Sequence, residues 1–172
     1  MASGFPKPSE TNEYYWKYIS LVDSDDIVTA LEEQSQKLGR FYQAIPEGKR
    51  GYAYADGKWS IMGSILHVID AERIFAYRLL RFARGDNAAL PGFDQDAYMA
   101  DINEGALDWN RLFDEWRSTR AATISLLKSI RPDQWDRRGT ASGLEHTVRA
   151  LAYMLAGHEL HHYKIIEERY LD

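Results

Sequence analysis

Hydrophobic positions recur in steps of three and four along four long stretches of this chain, and that period predicts helices. The first stretch, about 24–45, carries Ile27, Leu31, Gln34, Leu38, Phe41 and Ile45 on one stripe. Ser24 followed by Asp25 and Asp26 reads as its cap, and Pro46 closes it. The second, about 60–84, is apolar around most of its circumference, which predicts a helix surrounded by protein. The third, about 104–130, places Trp109, Leu112, Trp116, Thr119, Thr123, Leu126 and Ile130 on one face. The fourth, about 143–170, follows Ser142-Gly143-Leu144-Glu145, which fits the capping-box pattern S-x-x-E. Its seam is Leu144, Val148, Leu151, Leu155, His158, His162 and Ile165.

Glycine and proline cluster between these stretches, at 46–57, 85–92 and 132–143. No convincing alternating strand segment stands out. The expected fold is therefore all-α, a four-helix bundle in one domain spanning 1–172, with 1–22 as a polar and aromatic lead-in. The link between the second and third stretches is long enough to run the length of a bundle and join two parallel helices. That predicts up-down-down-up order with a long crossover.

Composition narrows the setting. The chain has 172 residues, of which 45% are hydrophobic and 27% charged, and this excludes wholesale disorder. A net charge of −5 argues against nucleic acid or an anionic membrane as partner. No run approaches the length needed to cross a bilayer, and the first residues lack the apolar core of a secretory signal. The expected address is the cytoplasm. With no cysteine, disulfides, protein thiolates and cysteine zinc sites are excluded.

Two of the five histidines occupy seam positions where the pattern calls for core residues. His158 and His162 are four apart, so one helix face presents both imidazoles, the spacing that suits a shared metal ion. His67 is the candidate third ligand. It lies about 10 Å from the start of the second helix, and His162 about 12 Å from the end of the fourth, so the levels coincide if the two helices are antiparallel neighbours. Spacing alone leaves a three-histidine metal site and a satisfied polar core both open. His158-Glu159-Leu160-His161-His162 also fits H-E-x-x-H, with Glu159 as base, but few residues remain downstream for a protease's third ligand. The plainer reading of Glu159 is a surface acid or one that orients an imidazole. His146 and His161 read as solvated.

The run KWSIMGSILHVIDAERIFAYRLLRFARGD, then PGFDQDAY, then TVRALAYMLAGHELHHYKIIEERYL resembles the DinB-like (YfiT-like) family of small metal-dependent four-helix proteins. The resemblance runs from EYYWKYI to the terminal ERYL. It implies a metal triad of His67, His158 and His162 holding one divalent transition metal, zinc or nickel. It also implies a homodimer and a small-molecule substrate. The implied chemistry is that of a hydrolase, or of a transferase that uses a low-molecular-weight thiol such as bacillithiol or mycothiol. The alternative is a non-catalytic, stress-linked binding module whose metal is structural or vestigial.

Other residues enter as weaker candidates. Glu159 and Glu72 are possible general bases. Arg73, Arg78, Arg81 and Arg84 read either as surface ion pairs or as attractants for an anionic substrate. Gln34 either contacts the metal pocket or satisfies a backbone group. Tyr153 and Tyr163 are candidate proton donors, and Asp94 and Asp96 lie in a loop that borders the site mouth or is simply solvated. Tyr14, Tyr15, Trp16 and Tyr18 are expected to pack across the bundle.

Overall fold

A computed structural model describes residues 3–171. Met1, Ala2 and Asp172, the outer limits of the expected domain, lie outside the described residues. Four long helices dominate: α2 (Ile27–Ala44), α3 (Ile61–Ala83), α5 (Trp109–Lys128) and α6 (Val148–Arg169). Two short ones, α1 (Glu13–Ile19) and α4 (Gln95–Ala100), belong to the lead-in and to the crossover.

Side-chain pairs give the directions. Arg73 meets Glu115, Glu72 meets Arg120 and Arg84 meets Ser129, so α3 and α5 run parallel. Tyr170 at the end of α6 donates to the Trp59 carbonyl at the start of α3, and Phe75 lies against His158, so α3 and α6 are antiparallel neighbours. Gln34 and Tyr42 meet Glu159 while Phe41 meets Tyr163, which makes α2 and α6 parallel. The order is up-down-down-up, and the crossover 84–108 joins the two parallel helices as its length required.

Helix starts follow local chemistry. Ser60 caps α3 and accepts from the Gly63 N–H. The cap of α2 is Asp26, which accepts from Val28 and Thr29, while Ser24 instead accepts from the Asp26 N–H. Asp108 caps α5, which starts five residues later than the sequence pattern suggested.

The expected start of the fourth helix is overturned. Ser142 caps nothing: residues Arg138–Ala141 (β1) and Leu144–Thr147 (β2) form an antiparallel hairpin around Ser142-Gly143. Both turn residues have positive φ, 53° and 76°, the conformation a tight two-residue hairpin turn demands and glycine supplies easily. The S-x-x-E spacing is the same in a capping box and across this turn, so the motif could not tell them apart. Thr147 is the true cap of α6, accepting from Ala150. The hairpin sits tightly on α3, because a Cβ on Gly139 would fall 2.2 Å from the Phe82 ring.

The core has two apolar clusters. One gathers Leu31, Phe75, Leu79, Leu151 and Leu155, the other Leu38, Ile65, Ile69, Leu112 and Ile166. Between them runs a layer of buried polar side chains contributed by α2, α3, α5 and α6: Gln34, His67, Glu72, Arg120, His158 and Glu159. Burying so many polar groups is costly unless each is satisfied, and the layer is therefore where function is to be sought.

Candidate metal centre

The layer divides in two. On one side, His67 of α3 meets His158 and His162 of α6. Ring centroids stand 5.0, 4.9 and 4.7 Å apart for the pairs 67–158, 67–162 and 158–162. One nitrogen from each ring lies within 4.8 Å of the others. The Nε2 atoms of His67 and His158 are 3.2 Å apart. Two nitrogens bound tetrahedrally to one zinc at the usual bond length are about 3.3 Å apart, so this pair already has ligand spacing.

His67 and His158 are buried, and His162 is nearly so. Burial depresses all three pKa values. His67 falls to about 4, the nearby Asp96 carboxylate pulling the other way. His162 falls to about 3 under burial together with His67 and His161. His158 falls well below the usual range through burial, then His162 and His67. All three rings are neutral at pH 7 and present lone pairs rather than charge, the state a divalent transition metal requires. A converging, neutral, nitrogen-only donor set fits such an ion.

Close packing holds the triad. Trp59, just before α3, lies 4.8 Å from the His67 ring. Tyr18 of α1 stands 5.4 Å from both His158 and His161. α1 approaches α6 so closely that a Cβ on Gly157 would fall 2.0 Å from the Tyr18 carbonyl oxygen. Two cavities reach the histidines. One, about 240 Å³, is lined by His162, Trp59, Ser64 and Asp96. The other, about 270 Å³, is lined by His158, Tyr18, Phe75 and Arg78. They share no lining residue, and Gln95 and Asp96 at the start of α4 contribute one to each. The crossover thus roofs both.

The other half of the layer is an ion-pair network whose carboxylate oxygens are all engaged, the buried Arg120 Nη1 alone lacking a hydrogen-bond partner among the described residues. Arg120 reaches Glu72 at 2.8 Å and Glu159 at 2.6 Å. Glu159 also accepts from Gln34, Tyr42 and the Trp116 indole. Burial works against the Arg120 charge, but the two carboxylates more than offset it and its pKa is raised.

This arrangement corrects several expectations. Glu159 is neither a surface acid nor one that orients an imidazole; with its oxygens engaged it cannot serve as the base of an H-E-x-x-H protease, and Glu72 is tied up likewise. Gln34 serves the network and the Ala156 carbonyl, not the histidines. The Tyr153 and Tyr163 hydroxyls donate to the Ser24 carbonyl and to Glu167, away from both cavities. Asp94 is the cap of α4. His146 is buried rather than solvated, lying on β2 with its Nδ1 2.9 Å from the Thr11 hydroxyl. His161 is half-buried beside Tyr18. Arg73 and Arg81 form ion pairs with Glu115 and Asp86, as expected of surface residues, but Arg78 is buried.

Arg120, Trp59 and Tyr18 escaped attention as residues of the polar layer or the site. For Arg120 a signal existed: it follows Trp116 by four and precedes Thr123 by three, on the seam the third stretch defines. Trp59 and Tyr18 reach the site only through tertiary contact.

The comparisons with known proteins agree with this fold. The chain resembles a solved structure from Bacillus subtilis, YfiT, described as "a probable metal-dependent hydrolase with an unusual four-helix bundle topology". The TM-score is 0.72 at 19% identity, covering 95% of this chain and 89% of that one, a likeness of fold. No curated protein matches. The sequence profile of the DinB superfamily matches residues 9–166, nearly the whole chain and a span that contains all three histidines, and the protein belongs to that superfamily.

Proposed function

We propose that this protein is a metal-dependent enzyme acting on a small molecule, as a hydrolase or as a transferase using a low-molecular-weight thiol. The observation that supports this reading is the open half of the polar layer: three neutral imidazoles that converge on one point, two of them, His162 and His158, each lining a cavity. A purely structural site would be closed by a fourth protein ligand. A divalent ion, zinc or nickel, would supply Lewis acidity there and lower the pKa of a water or thiol. His67, His158 and His162 hold it. Asp96, on the wall of the cavity that reaches His162, would accept the proton released. Trp59 shields the His67 ring from bulk water. As the chain has no cysteine, any attacking thiolate arrives with a cofactor or substrate.

The test is metal content of untagged protein by plasma mass spectrometry, on wild type and His158→Ala in parallel, followed by thiol-transfer and ester- and amide-hydrolysis screens on the loaded protein. Near-stoichiometric metal in the wild type, absent from the variant, together with turnover that Asp96→Asn reduces at least tenfold, is the expected result. A wild type that takes up neither added zinc nor added nickel overturns the reading.

A further inference from the structure

Among the described residues two arginines are buried, and only one has a counter-charge there. Arg120 lies between two carboxylates. Arg78, 4% exposed on α3, has no carboxylate within ion-pair distance among the described residues. Its Nη2 donates to the Pro91 carbonyl at 2.8 Å and to the Ser142 hydroxyl at 2.9 Å. These bonds aim the guanidinium without neutralising it. The crossover and the hairpin turn thus both help to place a charge that the fold itself does not balance, and a buried unpaired charge is strongly unfavourable.

Its surroundings show what would balance it. Arg78 lines the cavity of about 270 Å³ that reaches His158, and no aspartate or glutamate lines that cavity. The walls are aromatic: Tyr18 and Phe75 beside His158, and Phe93 with its ring 5.7 Å from the Arg78 guanidinium. A cavity of about 150 Å³ holds a benzene ring, so this one has room for a ring with a short side arm. Phe75 lies 5.9 Å from the His158 ring, and Arg78 follows it by roughly 4.5 Å of helical rise. One end of such a ligand reaches Arg78 while the other lies beside the metal centre.

We propose that this cavity is the substrate pocket and that the substrate is a small carboxylate with a compact apolar body, its carboxylate held by Arg78 and its reacting end presented toward His158. The assignment rests on the metal-enzyme reading for the word substrate, but the anion site stands on Arg78 alone. The carboxylate supplies the missing counter-charge and takes a charge-assisted hydrogen bond from the Nη1 or Nε hydrogens, which Pro91 and Ser142 leave free. The aromatic walls take the apolar body, and neutral or cationic analogues leave Arg78 unbalanced.

The test is titration of phenylacetate and 3-phenylpropanoate, each against its primary amide, into zinc-loaded and metal-depleted wild type, followed by protein NMR and calorimetry. The expected result is saturable binding of the acids at least tenfold tighter than of the amides in both forms, with a shift of the Arg78 Nε resonance. Arg78→Gln, checked for folding by circular dichroism, abolishes the preference, and Arg78→Lys keeps part of it. If Arg78→Gln does not fold, the Arg78 Nε shift in the wild type decides. Equal binding of acids and amides, no binding of either, or an Nε resonance that does not move overturns the proposal. A preference confined to the zinc-loaded form and untouched by Arg78→Gln places the carboxylate on the metal, which overturns the proposal and leaves the metal reading intact. A protein that prefers the acids through Arg78 but takes up no metal does the reverse.

Discussion

His158 and Glu159 are neighbours on α6, yet their side chains end in opposite kinds of place. Glu159 enters a closed network in which Arg120, Gln34, Tyr42 and Trp116 occupy its oxygens. His158 enters a cluster in which the nearest ring nitrogen belongs to another neutral histidine. The two halves lie in one layer between the same apolar clusters, so burial does not distinguish them. What separates them is whether the acceptors are already taken. The Glu72 and Glu159 oxygens are occupied by protein donors, the Arg120 Nη1 alone lacking a partner among the described residues, so that network serves the fold, whereas convergent lone pairs beside a cavity are arranged for something that binds.

The largest expected effect breaks the closed half. Arg120→Met leaves the Glu72 and Glu159 carboxylates buried without their cation, which costs roughly 3–5 kcal/mol in urea denaturation. Arg120→Lys recovers part of that, because an ammonium cannot reproduce the fork in which Nε and Nη2 hold Glu72 while Nη2 also reaches Glu159. A variant as stable as wild type would show that the network is solvated in solution.

Next comes the open half. Zinc at about a hundred times its dissociation constant stabilises the wild type by roughly 2.7 kcal/mol, read as a rise in Tm that chelator reverses. His158→Ala loses this gain while staying folded without metal. Metal-free wild type that fails to fold would mark the site as structural and contradict the contrast drawn between the two halves.

His146 sharpens the comparison as a buried imidazole that has a partner. Burial, reinforced by Arg78, lowers its pKa to about 4, against 6.5 for the free side chain. The fold therefore binds fewer protons than the unfolded chain between those values. The stability is fully present above pH 6.5 and is lost as pH falls through about 4. Between pH 7.5 and pH 5 that amounts to about 2 kcal/mol. In metal-free protein, His146→Gln should show a pH dependence flatter by that amount, measured by denaturation at the two values.

The smallest effect is at the surface. Arg73→Ala removes an exposed ion pair with Glu115 and should change stability by less than about 1 kcal/mol, with metal uptake unaltered. A larger loss would mean that exposed pairs in this bundle carry weight comparable to the buried network.

Much of this was legible before any coordinates. The period of apolar residues marked all four long helices, because a helix that buries one face must repeat every 3.6 residues wherever it packs. The length of the crossover implied the parallel pair, and helical rise then brought His67 level with His162. Where local chemistry was ambiguous the reading failed. Ser142-Gly143-Leu144-Glu145 suits a capping box and a tight hairpin equally, and the choice fell to the packing of Gly139 on Phe82. Arg78 read as one of four arginines that either pair at the surface or attract an anionic substrate, and nothing in its own helix shows that Pro91 and Ser142 will close over it.

The sequence by itself determined the helices, their order and the three imidazoles at one level, all consequences of local periodicity and fixed geometry. Only the tertiary structure decided which polar groups complete one another. Glu159 found its cation on α5, Arg78 found none, and the histidines found each other, since charge balance and hydrogen-bond satisfaction depend on neighbours far away along the chain.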